Sequence, residues 1–120
     1  MTIMRLAAAA ALIACTSTIA FAAEPVGIYQ VQGTNPGNTD SRYSGVVSIE
    51  KTGDAYHVIW IVGNQKYEGT GLGNDQFLAV SYQSDDQSGL ALYRAEGGSW
   101  VGIWTSTGGT TVGTERWDRK

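Results

Sequence analysis

The chain has 120 residues, with 8 basic side chains against 11 acidic ones, a formal net charge of −3 and a single cysteine. This length fits one small domain. A net negative charge disfavours sequence-independent binding of nucleic acids, which requires basic patches that contact phosphates. We therefore predict a single domain with no nucleic-acid partner.

Residues 1–22 are predicted to be a signal peptide that directs export. Arg5 precedes an Ala-rich apolar run over residues 6–14, and Ala20 and Ala22 occupy the two small-residue positions of a cleavage site. The run is too short to span a bilayer, which takes ~20 apolar residues. Cleavage after Ala22 predicts a periplasmic or secreted domain over residues 23–120, with no transmembrane span.

The same segment also has the pattern of a bacterial lipobox. In this alternative, Leu12-Ile13-Ala14-Cys15 directs lipidation of Cys15, and the product is a lipid-anchored envelope protein with a structural or interaction role through its exterior. Ordinary cleavage is favoured, because a cut at Cys15 would leave the apolar stretch 19–23 on the mature chain. The cleaved form would contain no cysteine and hence no disulfide.

From residue 27 onward, apolar residues alternate with period two, which is typical of strands rather than helices. Eight strands are predicted, over residues 27–33, 43–51, 55–62, 66–72, 76–82, 89–95, 99–105 and 110–117. The connectors are mostly short and rich in Gly, Asn and Asp, so they join antiparallel neighbours. The two longest connectors, 34–42 and 83–88, both follow odd-numbered strands and therefore lie at the same end.

An open meander of eight strands would leave two unprotected edges, whereas closure removes them. We therefore predict an all-β fold, a single eight-stranded antiparallel up-and-down barrel. A two-sheet sandwich with an aromatic core is the alternative, because its alternation and turn spacing look similar.

Bulky rings and glycines share the predicted inner face of this barrel. The rings are Tyr29, Tyr43, Tyr56, Trp60, Tyr67, Tyr93, Trp100, Trp104 and Trp117. Glycines such as Gly69 and Gly102 on the same face permit sharp bending and leave room for rings. An eight-stranded barrel is either packed solid or holds one small ligand. The nine rings are thus candidate ligand-binding residues, for a small apolar or aromatic ligand at the mouth between the two longest connectors.

The sequence offers little for catalysis. His57 is predicted to point outward, no Ser/His/Asp set can be assembled around it, and the adjacent Asp85 and Asp86 lack the ligand spacing of a calcium loop. We predict no enzyme activity, no metal and no cofactor.

The sixth strand is predicted to turn Tyr93 inward and Arg94 outward. This orientation leaves an outer apolar patch that could bind a partner or a second copy of the chain, composed of Ile59, Ile61, Leu90, Leu92, Val101 and Ile103.

Two short motifs resemble the calycin superfamily of lipocalin-like and avidin-like barrels. These barrels begin with Gly-x-Trp and have an arginine from the end of the barrel that packs over the ring. Here Gly27-Ile28-Tyr29 places a tyrosine at the Trp position, and the pair Arg116-Trp117 stands on the last strand. The resemblance implies that Arg116 is the arginine that closes the barrel. Avidin's biotin-contacting pattern is absent, so no biotin site is implied.

Nearly all of residues 24–117 also resembles a group of small exported alphaproteobacterial proteins, some of which are labelled fibronectin-binding. The resemblance rests on Tyr43-x-Gly45-x-Val47-x-Ile49, Tyr56-x-Val58-x-Trp60, Gly69-x-Gly71 and Gly102-x-Trp104. It implies an adhesive role with an extracellular-matrix protein as partner. It assigns no residue to that contact.

Overall fold

The structure, a computed structural model, describes residues 24–120. The predicted signal peptide and Cys15 lie outside the described residues. The eight strands are β1 (Gly27–Asn35), β2 (Asn38–Thr52), β3 (Ala55–Val62), β4 (Gln65–Gly73), β5 (Phe77–Gln83), β6 (Ser88–Glu96), β7 (Ser99–Ser106) and β8 (Gly113–Arg119).

The strands form one closed antiparallel barrel in the order β1 to β8, with β8 paired to β1. The predicted up-and-down barrel is thus confirmed and the sandwich is excluded. Every connection joins neighbouring strands, as expected for short links.

Two connectors differ from the prediction. Residues 34–42 are mostly strand, because β1 and β2 continue to Asn35 and Asn38 and turn at Pro36-Gly37, where Gly37 has a φ of +73°. A residue without a Cβ adopts this left-handed conformation at little cost. The longer connector lies instead between β7 and β8, because β8 begins at Gly113 rather than at residue 110.

Alternation along each strand places one set of side chains inside the barrel. We call the end that holds the β1–β2, β3–β4, β5–β6 and β7–β8 turns the mouth, and the opposite end the base. In the base half, Tyr29, Trp100 and Trp117 are fully buried and pack with Val31 and Ile49. Residues 24–120 therefore have a solid core in the base half of the barrel.

One glycine shows how the rings fit inside. The Tyr93 ring lies over Gly102 on the neighbouring strand, and a Cβ at Gly102 would overlap Tyr93 Cδ1 and the Leu92 carbonyl oxygen. The missing side chain therefore lets Tyr93 reach the barrel axis, as predicted for glycines on the concave face.

The residues that precede β1 cover the base. Pro25 is fully buried, and the Tyr29 hydroxyl donates a hydrogen bond of 2.8 Å to its carbonyl oxygen. The Arg119 guanidinium donates to the carbonyl oxygens of Glu24 at 2.8 Å and Val26 at 3.2 Å. The chain thus closes this end with its own backbone.

The prediction that Arg116 closes the barrel over Tyr29 is wrong. The arginine over this ring is Arg119, whose guanidinium carbon lies 4.9 Å from the ring centroid. Arg116 points outward, where it pairs with Asp118 at 3.2 Å and with Glu96 at 4.0 Å. The reason is the strand period of two: Trp117 faces inward, so Arg116 cannot, whereas Arg119 has the same parity as Trp117.

The outer surface agrees with the prediction only in part. Arg94 is outside and Tyr93 inside, while Leu90, Leu92 and Ile103 are 64%, 52% and 47% exposed. The predicted patch is nevertheless divided, because the outward isoleucines of β3, Ile59 and Ile61, pair with the charged residues Glu68 and Lys66 of β4. We define the outer apolar row as Leu72, Ala79, Leu92 and Ile103, which are cross-strand neighbours from β4 to β7.

Candidate functional site

A cavity of about 360 Å³ opens at the mouth of the barrel. Its rim includes Asn35 from the end of β1, Pro36 from the β1–β2 turn, Gln87 from the β5–β6 turn and Ser106 from the end of β7. Six aromatic side chains line its wall: Tyr43, Trp60, Tyr67, Tyr82, Tyr93 and Trp104. The volume lies within the range typical of small-molecule sites.

The rings contact one another edge to face. Tyr82 is central to this arrangement, because its ring centroid lies 6.1 Å from that of Trp60 and 6.2 Å from those of Tyr67 and Trp104. Tyr43 meets Trp104 in the same way at 6.0 Å. Edge-to-face contacts are favourable for aromatic rings, so the wall of the cavity is formed by rings that support one another.

The hydrogen bonds of the wall also fix individual rings. Trp104 Nε1 donates to the Thr34 carbonyl oxygen at 3.2 Å, and the Tyr82 hydroxyl donates to the Thr105 carbonyl oxygen at 3.2 Å. Both rings are therefore anchored by the backbone of the barrel and present their apolar surfaces to the cavity.

One carboxylate, that of Glu115, lies among these rings. Glu115 is only 7% exposed and projects inward from β8, one inward position closer to the mouth than Trp117. It lines the cavity, and it is the only buried charged residue among residues 24–120. A buried charge is costly unless polar partners surround it.

Four side chains donate hydrogen bonds to Glu115. Oε1 accepts three of them, from Trp117 Nε1 at 2.6 Å, Trp60 Nε1 at 2.8 Å and the Tyr93 hydroxyl at 2.9 Å. Oε2 accepts one, from the Tyr43 hydroxyl. The donors come from β2, β3, β6 and β8, so one carboxylate connects four of the eight strands.

The two tyrosines of this network remain protonated. Burial raises the pKa of Tyr93 well above its usual value, and the negative charge of Glu115 raises this pKa further. The pKa of Tyr43 is raised by the same two causes. A tyrosine that keeps its proton can act as the donor, so the network consists of one acceptor and neutral donors.

No cationic side chain forms an ion pair with Glu115 within the described part of the chain. The lining of the cavity includes no Lys, Arg or His, and none of the ion pairs formed by residues 24–120 involves Glu115. All seven Lys and Arg residues in this range are exposed. The cavity therefore holds a buried carboxylate without a protein counter-charge.

All nine predicted rings point into the barrel, and they divide between its two halves. The cavity is lined by Tyr43, Trp60, Tyr67, Tyr93 and Trp104. The other four, Tyr29, Tyr56, Trp100 and Trp117, are buried in the base half and do not line the cavity. The assignment to ligand binding therefore stays a prediction for the five rings that line the cavity. The four rings of the base half belong to the core.

Sequence reasoning missed two residues of this site. Tyr82 follows Leu78 and Val80 on the inward side of β5, so period-two alternation could have identified it. Glu115 has the same parity as Gly113 and Trp117, which would have placed a carboxylate inside the barrel. It was missed because a glutamate is expected at the surface.

A second concavity, of about 1030 Å³, is lined largely by outward side chains, including Arg42, Arg94 and Arg116. The acidic side chain of Glu96 lies within 3.2 Å of Arg94 and 4.0 Å of Arg116. All three arginines are exposed to solvent, where the high dielectric constant weakens their attraction for an anion, so the mouth cavity is the better candidate site.

Residues 24–120 form no group of three or more His, Cys, Asp and Glu side chains that could hold a metal ion. They also contain no helix of the length and apolarity that crossing a membrane requires.

Comparisons with known proteins give similarity of fold. No family model and no curated protein matches the sequence. Two solved structures are similar, a protein described as "REP1-NXSQ fatty acid transporter" (TM-score 0.53) and apo lipid binding protein 8 of Caenorhabditis elegans (TM-score 0.51). Each is 10% identical in sequence to this chain, and each similarity covers 80% of this chain. It extends over 96% of the first similar chain and 95% of the second. They support the predicted closed eight-stranded barrel as the fold, whereas the fibronectin-binding group finds no support from these comparisons.

Proposed function

We propose that this protein is a non-catalytic binding protein that holds one small, largely apolar ligand in the mouth cavity. The observation that carries the proposal is the cavity itself, whose wall consists of six rings above a solid base half. A barrel packed throughout would have a structural core and no site. The two similar structures are described as a fatty acid transporter and a lipid binding protein, which is consistent with this role.

The test uses N-phenyl-1-naphthylamine, an uncharged apolar dye whose fluorescence rises in apolar surroundings. The variant Ala91→Leu adds bulk to the cavity wall, because Ala91 is buried and lines the cavity. The matched control is Ala79→Leu, the same change on the neighbouring strand but on the outer face. We expect about a tenfold loss of dye affinity in the first variant, since added methylenes exclude a ligand of fixed size.

Equal dye binding by Ala91→Leu and the wild type, with both proteins folded by circular dichroism, would contradict a ligand site in the cavity. Loss of binding in Ala79→Leu instead would place the dye on the outer apolar row. Trp fluorescence gives an independent reading, because Trp60 and Trp104 line the cavity.

A second candidate role is association through the outer surface. Leu72, Leu92 and Ile103 of the outer apolar row are 66%, 52% and 47% exposed, and exposed apolar patches often bind partners. Leu92→Asp should then abolish self-association in sedimentation experiments or binding to an immobilised matrix protein such as fibronectin. The dye affinity of the cavity should not change, because Leu92 points away from it.

We also propose that the barrel acts after export, with cleavage after Ala22. This position fits the base of the barrel, because a chain that starts at Ala23 retains Glu24 and Pro25, which the base requires. Mass spectrometry of the mature protein distinguishes this N-terminus from a lipidated Cys15.

A further inference from the structure

The charge inside the cavity indicates what kind of ligand it would bind. An anionic ligand would bring its charge close to the buried carboxylate of Glu115, with no Lys, Arg or His in the lining to offset the repulsion. Like charges at short range in a poorly solvated site repel strongly. The cavity is thus unsuited to the carboxylate of a fatty acid.

The hydrogen bonds of Glu115 leave one oxygen with spare capacity. Oε1 already accepts three donors, whereas Oε2 accepts only the Tyr43 hydroxyl. An ionised carboxylate oxygen can accept two or more hydrogen bonds. Since both Tyr43 and Glu115 line the cavity, a donor on a ligand would find an acceptor at this point.

The rings above the carboxylate add a second attraction for positive charge. The faces of Trp and Tyr rings carry negative electrostatic potential, and cations bind over them most strongly where water is excluded. Three of the six rings contact Glu115 directly, and the other three complete the wall. The first three are Tyr43, Trp60 and Tyr93, and the others are Tyr67, Tyr82 and Trp104. Carboxylate and rings therefore favour the same sign of charge in one cavity.

We propose that the ligand of the mouth cavity is a small organic ammonium ion with an apolar body, bound with its positive group towards Glu115. The ammonium group supplies the counter-charge that the protein lacks, and the rings enclose the apolar part. This inference rests on the proposed ligand-binding function and specifies its ligand class.

The test compares four probes built on an eight-carbon chain with the wild-type protein, at concentrations below those at which they aggregate. Octylamine, octanol and octanoate share one chain and differ in head group, since at neutral pH the amine is protonated and the acid ionised. Their affinities are measured by displacement of N-phenyl-1-naphthylamine. We expect octylamine to bind about tenfold more tightly than octanol, and octanoate to bind most weakly.

The fourth probe, octyltrimethylammonium, separates the two attractions. It keeps the positive charge but has no N–H to donate to Oε2, so affinity equal to that of octylamine would assign the preference to charge and rings. Binding weaker than that of octylamine but tighter than that of octanol would show that a hydrogen bond to Oε2 also contributes to the preference.

The variant Glu115→Gln removes the charge and keeps a carbonyl oxygen at the same place. It should remove most of the preference, so that octylamine binds no more than about twofold more tightly than octanol. The matched control is Glu50→Gln, which removes one negative charge from the exposed outer face. This control should still bind octylamine more tightly than octanol. Loss of that preference in the control would mean that the net charge of the protein, rather than Glu115, causes the preference.

The outcomes separate this inference from the function on which it rests. Binding of octanol or octanoate as tight as that of octylamine overturns the ammonium preference but leaves a ligand site in place. Failure of the dye and all four probes to bind overturns both. The wild-type comparison decides the question even if Glu115→Gln does not fold.

Discussion

The two halves of the barrel share one pattern of inward rings but differ in what covers those rings. In the base half, Trp100 and Trp117 are fully buried and the chain seals the end with Pro25. In the mouth half, Tyr43, Tyr67 and Trp104 are only partly buried and surround a cavity. Alternation therefore determines which way a ring points, whereas the presence of a covering segment decides whether it becomes core or site.

Glu115 lies where the two halves meet. Its carboxylate binds Trp117 of the base half at 2.6 Å and Tyr43 of the cavity wall. The floor of the cavity is thus a polar network, and the base beneath it is apolar. Changes at Glu115 should therefore affect both the stability of the core and the binding of ligands.

The largest effect is expected for Glu115→Ala. This variant leaves three buried donors and the partly buried Tyr43 hydroxyl without their acceptor and opens a void, and an unpaired buried polar group costs about 1–3 kcal/mol. We expect the free energy of unfolding to fall by roughly 3–5 kcal/mol, a large part of the 5–15 kcal/mol typical of a small domain. Urea denaturation followed by Trp fluorescence measures this change.

Glu50→Ala serves as the matched control, because Glu50 is exposed on β2 and pairs across the strands with His57. It should change stability by less than about 0.5 kcal/mol. A similarly small effect of Glu115→Ala would mean that the network does not connect the two halves.

A smaller effect should distinguish two tryptophans that are cross-strand partners in the base half. Trp100 and Trp117 are both fully buried, but only Trp117 donates its indole N–H to Glu115, whereas Trp100 Nε1 has no hydrogen-bond partner. Replacement of either by Phe opens a similar void. Trp117→Phe should therefore cost about 1.5–3 kcal/mol more than Trp100→Phe, the value of a hydrogen bond to a charged group.

The midpoints of urea denaturation of the two variants give the comparison directly. Equal destabilisation would show that the Trp117 hydrogen bond adds nothing to the burial of its ring, and the base half would then be held by packing alone.

Much of the fold could be predicted from the sequence, because the barrel depends on local signals. Alternation identified eight strands, and short turns such as Gly97-Gly98 allowed only antiparallel neighbours. The β1–β2 turn was mispredicted, since Asn35, Pro36, Gly37 and Asn38 favour either a loop or a tight turn within extended strands. The choice depends on the pairing of Asn38 and Arg42 with β1, which no local signal reports.

The site could be predicted less well, because its defining residue breaks a compositional rule. Inward rings followed from alternation, but Glu115 is buried only because donors from three other strands converge on it. Those donors are 22 to 72 residues away in sequence. Which rings line a cavity depends in turn on the segment 24–26 that covers the base and leaves the mouth open.

The smallest effect concerns the two arginines at the end of β8, and it tests how the base is closed. Arg119 lies over the Tyr29 ring and donates to the carbonyl oxygens of Glu24 and Val26, whereas Arg116 forms exposed ion pairs. Arg119→Ala should lower the free energy of unfolding by about 1 kcal/mol, because a cation–π contact and two hydrogen bonds are lost. Arg116→Ala should change it by less than about 0.5 kcal/mol, since exposed ion pairs contribute little.

Hydrogen exchange makes this last comparison specific to the base. Removal of Arg119 should speed exchange of the amide of Lys120, which donates to the Ile28 carbonyl oxygen at 3.2 Å beside the covering segment. Amides around the mouth should be unaffected, because stability varies locally within a folded domain. The reverse order, with the larger effect from Arg116→Ala, would restore Arg116 as the closing residue and would require the inward and outward positions at the end of β8 to be exchanged.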